Sequence, residues 1–437
     1  VGSLAMNAAA LRAEKIARSG EPPAGPFRLW PAWVPAWTAW LLAGGVLLAA
    51  AFSIGVPLLV PKVIFSRQQR LPENSIWLAV DALAERRLGE APVLVDRALT
   101  LTIAKTYEGS AQPLLAPFYL RLAEELFAVG WKEDGRRAAY KALGHYHRVP
   151  RPLEYLEAWR LLAQSYLGED PGRFMAVADA LFSHSFGQAQ ELTQTLAADQ
   201  PAAVTGLTPY AVARDHYMNG RPRDAVLYLA QREPSSPGSE LALALDDVLI
   251  RALKSLGREA EARKLIGELK GRYPNRLEPW ALEALVERDL DAAGFADELK
   301  RGSPWEVLSF GALRPARTEY APAREPRRGA DESATLAPGG AGEIFFELGG
   351  PVENLYLIAA GTDFLGIYPI VIARLDEAPD YPLYLDAPEP AVFPILQSLG
   401  PGRHRLGLEF LNDYGDKIQD QRYERSVRLI RLVYRRP

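Results

Sequence analysis

The sequence predicts a multidomain chain of three parts: a single transmembrane helix, an all-α region of paired helices, and a C-terminal all-β sandwich. Three observations carry this expectation. Between Arg28 and Lys62 no charged residue occurs. From Leu71 to about Ser309 apolar residues recur at three- and four-residue spacing, the period of an amphipathic helix. From Glu343 onward apolar and polar residues alternate in short runs, as in strands with one buried face. The expected boundaries are 1–31 for an N-terminal tail, 32–61 for the span, 71–309 for the helices, 310–342 for a linker and 343–437 for the sandwich.

Within the uncharged stretch, Leu41 to Val60 reads LLAGGVLLAAAFSIGVPLLV, about the length a helix needs to cross ~30 Å of hydrocarbon. Trp30, Trp33, Trp37 and Trp40 gather at its front edge, where indole rings favour the headgroup layer, and Lys62, Arg67 and Arg70 mark the far edge. A buried core helix and a cleaved signal peptide are the rival readings. A signal peptide would have an apolar region of only ~7–15 residues and a small-x-small cleavage site, and none stands out. Arg12, Lys15, Arg18 and Arg28 precede the span, which by the positive-inside rule keeps the N-terminus cytoplasmic. The expected placement is therefore single-pass in a bacterial inner membrane, with the bulk of the chain periplasmic or extracellular. The chain has no cysteine, so it carries no thiol hazard in an oxidising compartment. Ala43, Gly44 and Gly45, and Ala49 to Ala51, are small enough to let the span pack against spans of other subunits.

The helices come in pairs. Pro117 to Val129 and Glu133 to His145 join at Gly130, Tyr210 to Asn219 and Asp224 to Gln231 at Gly220, and Leu241 to Leu256 and Glu259 to Tyr273 at Gly257. Each second helix has an early alanine (Ala138, Ala225, Ala262), and the last two pairs end near Pro234 and Pro274. This resembles the tetratricopeptide repeat, in which small residues let paired helices approach and a proline stops the second. The resemblance implies a repeat array with a concave surface for a protein partner. An irregular helical bundle is the alternative, since Gly220 and Gly257 stand further apart than the ~34 residues of a regular repeat.

Arg314 to Gly342 is rich in Pro and Arg and reads as extended linker or as a strap across a neighbouring domain. Beyond it, Ile344, Phe346 and Leu348 alternate with Glu343 and Glu347, and Leu406, Leu408 and Phe410 with Arg405, Gly407 and Glu409. Leu355 to Ala360 and Ile370 to Leu375 are continuously apolar, as strands buried on both faces are. Turn clusters at Gly349-Gly350-Pro351, Asp376 to Pro379 and Gly400-Pro401-Gly402 separate them, the spacing of a jelly-roll-like β-sandwich. In the last strand, Ser426 to Tyr434, apolar parity changes between Leu429 and Ile430, the mark of a β-bulge.

Gly361-Thr362-Asp363-Phe364-Leu365-Gly366-Ile367-Tyr368-Pro369, an apolar strand ending in Leu375-Asp376, Leu399 to Leu406, and Phe410-Leu411-Asn412-Asp413 follow one another in an order that is similar to the bacterial calcium-dependent xylan-binding modules. The resemblance covers roughly the last quarter of the chain. It implies that the Phe-x-Asn-Asp element opens a loop whose acidic groups hold Ca²⁺ against sugar hydroxyls. The metal ligands it implies are Asn412, Asp413, Asp416, Asp420 and Glu424, completed by carbonyls and water to the six to eight oxygens Ca²⁺ takes. Two positions depart: the Asp-Arg-Asn run of those modules reads Glu424-Arg425-Ser426, and Ile430 stands where an acid is frequent. The alternative is that Asn412 and Asp413 only shape the turn. Phe364, Tyr368, Tyr414 and Tyr423, in or beside these loops, are the candidate sugar-stacking rings, or else plugs of the sandwich edge.

The net charge of −4 gives no reason to expect nucleic-acid binding. No HExxH, GxSxG, P-loop or GxGxxG context occurs, and the five histidines are scattered, so no enzyme is expected. Two functions remain. In one, a membrane-anchored noncatalytic scaffold holds a protein partner on its helical repeats and polysaccharide, through Ca²⁺, on its sandwich, in envelope polysaccharide assembly or secretion. In the other, the chain is a structural accessory subunit of a larger membrane complex, docked through its span, and the sandwich makes protein contacts only.

Overall fold

A computed structural model describes residues 72–101, 112–145, 152–184, 207–231, 239–299, 304–316, 325–336, 340–363, 367–412, 415–418 and 421–436. The chain divides into two compact units, Val1–Arg70 and Leu71–Pro437. The described residues all belong to the second.

Among them, helices come first and strands second. The helices pair as antiparallel hairpins: α1 (Pro72–Ala84) with α2 (Ala91–Leu99), α3 (Gln112–Ala128) with α4 (Lys132–His145), α5 (Pro152–Tyr166) with α6 (Pro171–His184), α7 (Leu207–Met218) with α8 (Pro222–Ala230), and α9 (Glu240–Ser255) with α10 (Glu259–Arg272). Two shorter helices, α11 (Glu278–Arg288) and α12 (Ala292–Leu299), follow. The glycines expected at the joints act as left-handed helix stops, with φ of +81° at Gly130, +68° at Gly220 and +69° at Gly257. At each of them the next residue's N–H reaches back to a carbonyl five residues earlier, Trp131 to Leu126, Arg221 to His216 and Arg258 to Leu253. This is the Schellman closure, which satisfies carbonyls that the ending helix leaves open. The same closure joins α1 to α2, with Arg86 in the left-handed position at φ +57°. The paired-helix expectation thus describes the hairpins, while a tetratricopeptide identity for them finds no support.

The strands form two antiparallel sheets face to face. The six-stranded sheet has the order β3 (Arg327–Arg328), β4 (Ala334–Leu336), β13 (Ser426–Arg435), β6 (Leu355–Thr362), β9 (Ala391–Ile395), with β1 (Trp305–Ser309) also on β13. The five-stranded sheet has the order β2 (Arg314–Ala316), β5 (Ala341–Leu348), β10 (Gly402–Phe410), β7 (Ile370–Leu375), β8 (Tyr381–Tyr384). A separate hairpin joins β11 (Gly415–Ile418) to β12 (Gln421–Glu424). Ile344, Phe346 and Leu348 meet Leu406, Leu408 and Phe410 in the core between the sheets, as their alternation requires. Three short strands lie within the stretch expected as linker: β2 pairs with β5, β4 with β13, and β3 with β4. The bulge falls where parity changes, with the register of β13 on β6 shifting between Leu429 and Arg431. Leu429 and Leu432 consequently both face the sandwich core, and Ile430 turns outward.

The helices cover part of both outer sheet faces. Ile370, Ile372 and Tyr384, on the outer face of β7 and β8, join a core shared by helices from α1 to α9. Tyr356, Ile358, Ile430 and Val433, on the outer face of β6 and β13, pack under Leu277, Phe295 and Leu299 of α11, α12 and their approach. Strands β6 and β7 are buried on both sides for this reason.

The expected fold class needs a correction. Among the described residues no helix is long and apolar enough to cross a membrane. The longest, α3, has 17 residues and carries Arg121, Glu124 and Glu125, and it spans about 26 Å against the ~30 Å of a bilayer core. The single transmembrane helix, and with it the single-pass inner-membrane placement, is therefore unsupported. The stretch 32–61 and the tryptophans Trp30, Trp33, Trp37 and Trp40 lie outside the described residues.

Candidate functional site

Of the five expected metal ligands, Asn412 has a described side chain, and it is fully buried. Its Oδ1 accepts the Ile370 N–H at 2.6 Å and its Nδ2 donates to the Tyr368 carbonyl at 2.9 Å. A side-chain amide so placed splices the end of β10 to the start of β7, where a strand partner would otherwise be missing. Further along the chain, Arg425 is also fully buried. Its Nε donates to the Ile367 carbonyl at 2.8 Å and its Nη1 to the Asn412 carbonyl at 2.7 Å. Asn412 and Arg425 therefore form one node, from which the chain leaves toward β11 and to which it returns after β12. Ser426 continues it, its N–H donating to the Thr362 hydroxyl at 2.9 Å. Burying a guanidinium is costly unless it is hydrogen-bonded, and here carbonyl oxygens accept its N–H bonds. The motif that suggests sugar chemistry thus contains a structural pin. In the sequence Arg425 is one letter of a run, with nothing local to mark it as buried.

Asp413 and Asp420 lie outside the described residues, as do Phe364 and Tyr414. Asp416, Tyr423 and Glu424 fall on the β11–β12 hairpin, where Asp416 pairs with Tyr423 and Glu424 with Gly415. Tyr368 is half-buried and meets Tyr384 edge to face, ring centroids 6.2 Å apart. Burial first, and then the Asp363 carboxylate, raise its phenol above the usual range. No group of three or more metal-ligating side chains occurs among the described residues.

The node borders the helical layer. A Cβ on Gly144, in the last turn of α4, would stand 3.2 Å from the Leu411 carbonyl, one residue before Asn412. Trp159 of α5 meets Tyr384 edge to face at 6.0 Å. Burial pushes the Tyr155 phenol up to about 12, while the nearby Trp159 indole and Arg425 cation pull it down. Around this aromatic seam, Arg173 donates to the carbonyls of Pro379 and Asp380 at 3.0 and 3.1 Å, and Arg214 pairs with Asp179 and Asp386. These seam residues come from helices far away in sequence, and the two-sided apolar run Ile370 to Leu375 is their one visible sign.

No family model matches the chain, and no curated protein does. Among solved structures, a family two carbohydrate esterase from Cellvibrio japonicus is 12% identical over 30% of this chain and 34% of its own, with a TM-score of 0.22. The chain thus spans about a third of that protein's length. The CBM36-1 domain of a multidomain xylanase from the hindgut metagenome of Trinervitermes trinervoides is 10% identical over 30% of this chain and 95% of its own, with a TM-score of 0.23. A family GH115 4-O-methyl-α-glucuronidase with specificity for decorated arabinogalactans is 10% identical over 72% of this chain and 44% of its own, with a TM-score of 0.19. Likenesses at these scores are too slight to build on, and the sandwich is described from its own strands.

Proposed function

We propose that this chain is a noncatalytic polysaccharide-binding protein whose ligand sits at the segment between Asn412 and Arg425, with Ca²⁺ as the bridging ion. The observation that carries the reading is the buried node, because it holds Asn412 and Arg425, the two ends of an acid-rich segment, in one place. Anchored loops on a rigid scaffold are where binding residues concentrate. The oxygen chemistry of Asp413, Asp416, Asp420 and Glu424 suits Ca²⁺. Asn412 orients the loop, its amide being committed to Ile370 and Tyr368. A bound ion would coordinate the oxygens of adjacent sugar hydroxyls, and a ring such as Tyr368 or Tyr423 would offer a face to the pyranose C–H groups.

The test is calorimetric titration of Ca²⁺ into the chelator-treated full chain, with and without xylan oligosaccharide. Heat from the metal that grows with sugar, and that Asp413→Ala and Asp420→Ala abolish, is the expected result. Titrations that neither variant alters sink the reading.

A second reading is favoured by a different observation. Trp77, Leu78, Leu88 and Val93, on α1, α2 and the turn between them, are 46%, 40%, 44% and 73% exposed, a concentration of solvent-facing apolar side chains that suits a protein partner. In that reading the chain is an accessory subunit and the sandwich makes protein contacts only. Silent titrations together with a stably co-purifying protein would decide for it.

A further inference from the structure

The outer face of the five-stranded sheet is covered by helices only over β7 and β8. Across β2, β5 and the first half of β10 it is open, and Phe345 stands there 38% exposed, whereas Glu409 near the end of β10 is buried. Two guanidinium groups flank its ring, Arg314 at 5.9 Å and Arg403 at 5.1 Å from the centroid. Arg405 is the cross-strand partner of Phe345, and Arg403 that of Glu347. Gly407 and Arg314 both pair with Glu343, two residues before Phe345. None of Arg314, Arg403 and Arg405 has a carboxylate within ion-pair distance among the described residues. Three exposed cations, none of them in an ion pair among the described residues, thus surround one exposed ring.

We infer that this open half of the sheet is a second binding surface, for polysaccharide bearing uronic acid residues. A guanidinium fork matches a sugar carboxylate with two parallel hydrogen bonds. Phe345 offers a flat apolar face to the pyranose C–H groups. Glu343 and Glu347, interleaved with the arginines, accept sugar hydroxyls. The same two carboxylates distinguish this ligand from nucleic acid, whose phosphates, about one charge per 1.7 Å of duplex, would be driven against them. A uronan carries its charges one per sugar, with neutral hydroxyls between.

The surface lies away from Asn412, where the loop begins. Arg405 lies near the start of β10 and Asn412 just past its end, seven residues later and about 23 Å along the strand. Binding here needs no metal, so it goes beyond the loop reading and its outcome is independent of it. At the Arg405 end the backbone is held firmly, the Arg405 N–H donating to Asp376 Oδ1 at 2.8 Å and His404 spanning Asp376 and the Gly400 carbonyl.

The experiment is titration of the full chain, in chelator and at low salt, with oligogalacturonate, with the carboxyl-reduced oligomer of the same length, and with duplex DNA. The acidic sugar should bind and its reduced form should bind at least about tenfold more weakly. The double variant Arg403→Gln, Arg405→Gln should lose about tenfold in affinity, and Phe345→Ala should lose affinity with no change in circular dichroism or Tm. Equal binding of the acidic and reduced sugars overturns the inference. So does wild-type affinity in the variants, or DNA binding as tight as the uronate with Phe345→Ala silent, which would make the surface a general polyanion patch. Silence toward Ca²⁺ and xylan alone leaves the inference standing and removes only the loop reading.

Discussion

On the outer face of the five-stranded sheet, the half formed by β7 and β8 lies beneath α5, α6 and α7, whereas the half formed by β2, β5 and the first half of β10 is open. Both halves carry aromatic rings and arginines. In the covered half they are spent on cohesion: Tyr384 packs on Trp159, Arg214 bridges Asp179 and Asp386, and Arg173 caps the carbonyls of Pro379 and Asp380. In the open half Phe345, Arg314, Arg403 and Arg405 face water. The difference teaches that residue type does not assign a role on this sheet. What stands above each strand does.

The strongest way to break the comparison is to introduce a charge where helices cover the sandwich. Ile430, 2% exposed, sits between β13 and α12 in the position where the resembling modules often carry an acid. Ile430→Asp should strand a carboxylate in that seam and lose the side chain's packing as well, destabilising by more than about 5 kcal/mol. Loss of the cooperative urea transition is the expected observation, while Ile430→Val should cost only about 1 kcal/mol. A folded, stable Ile430→Asp would mean that α12 does not cover the strand.

Less drastic, and more direct, is to truncate one aromatic from each half. Trp159→Ala should cost about 3–5 kcal/mol, because the ring is fully buried against Tyr155 and Tyr384. Phe345→Ala should stay within about 0.5 kcal/mol. Urea midpoints measured side by side check both. Similar losses at the two sites would erase the distinction between a covered and an open half.

Much of this arrangement is legible in the local patterns of the sequence. The hairpin stops at Gly130, Gly220 and Gly257 are visible because a left-handed position selects glycine. The core faces of β5 and β10 are visible because alternation reports one buried side. The bulge in β13 is visible as a parity change. The apolar run Ile370 to Leu375 announces two buried faces without saying what covers the second one. The cover comes from Trp159 and Gly144, more than two hundred residues upstream, and no local pattern links them to the sandwich. The site is legible in the same partial way. Asn412 and Arg425 are recognisable as motif letters, but burial turns Asn412 inward onto Ile370 and Tyr368 and gives Arg425 a bracing task. Prolines and arginines make 310–342 resemble a linker, although three short strands within it need only a few residues each to pair.

The smallest expected effect concerns how firmly the open half is held. His404 sits on β10 between Arg403 and Arg405, its Nδ1 against Asp376 Oδ2 at 2.7 Å and its Nε2 against the Gly400 carbonyl at 2.9 Å. Both partners are oxygens, so the doubly protonated ring satisfies both, and the Asp376 carboxylate above all raises the His404 pKa. Burial opposes ionisation of Asp376, but hydrogen bonds from His404 and the Arg405 N–H outweigh it and leave that carboxyl below its ordinary value. The two shifts bound a window. A raised histidine contributes stability that is complete below its unfolded pKa near 6.5 and is lost as pH rises through the higher folded value. A depressed aspartate contributes stability that is complete above its unfolded pKa near 3.9 and is lost as pH falls through the lower folded value. The turn at Asp376 should therefore be tightest between about pH 4 and 6.5 and loosen on the alkaline side. His404→Gln should flatten the alkaline limb, changing Tm by about 2 °C or less, and the exchange rate of the Arg405 amide, corrected for intrinsic pH dependence, should rise from pH 6 to 8 in the wild type alone. A wild-type rate with no such rise would show that β10 is held by its neighbours β5 and β7 without the histidine, and the open half would then owe its rigidity to the sheet ladder.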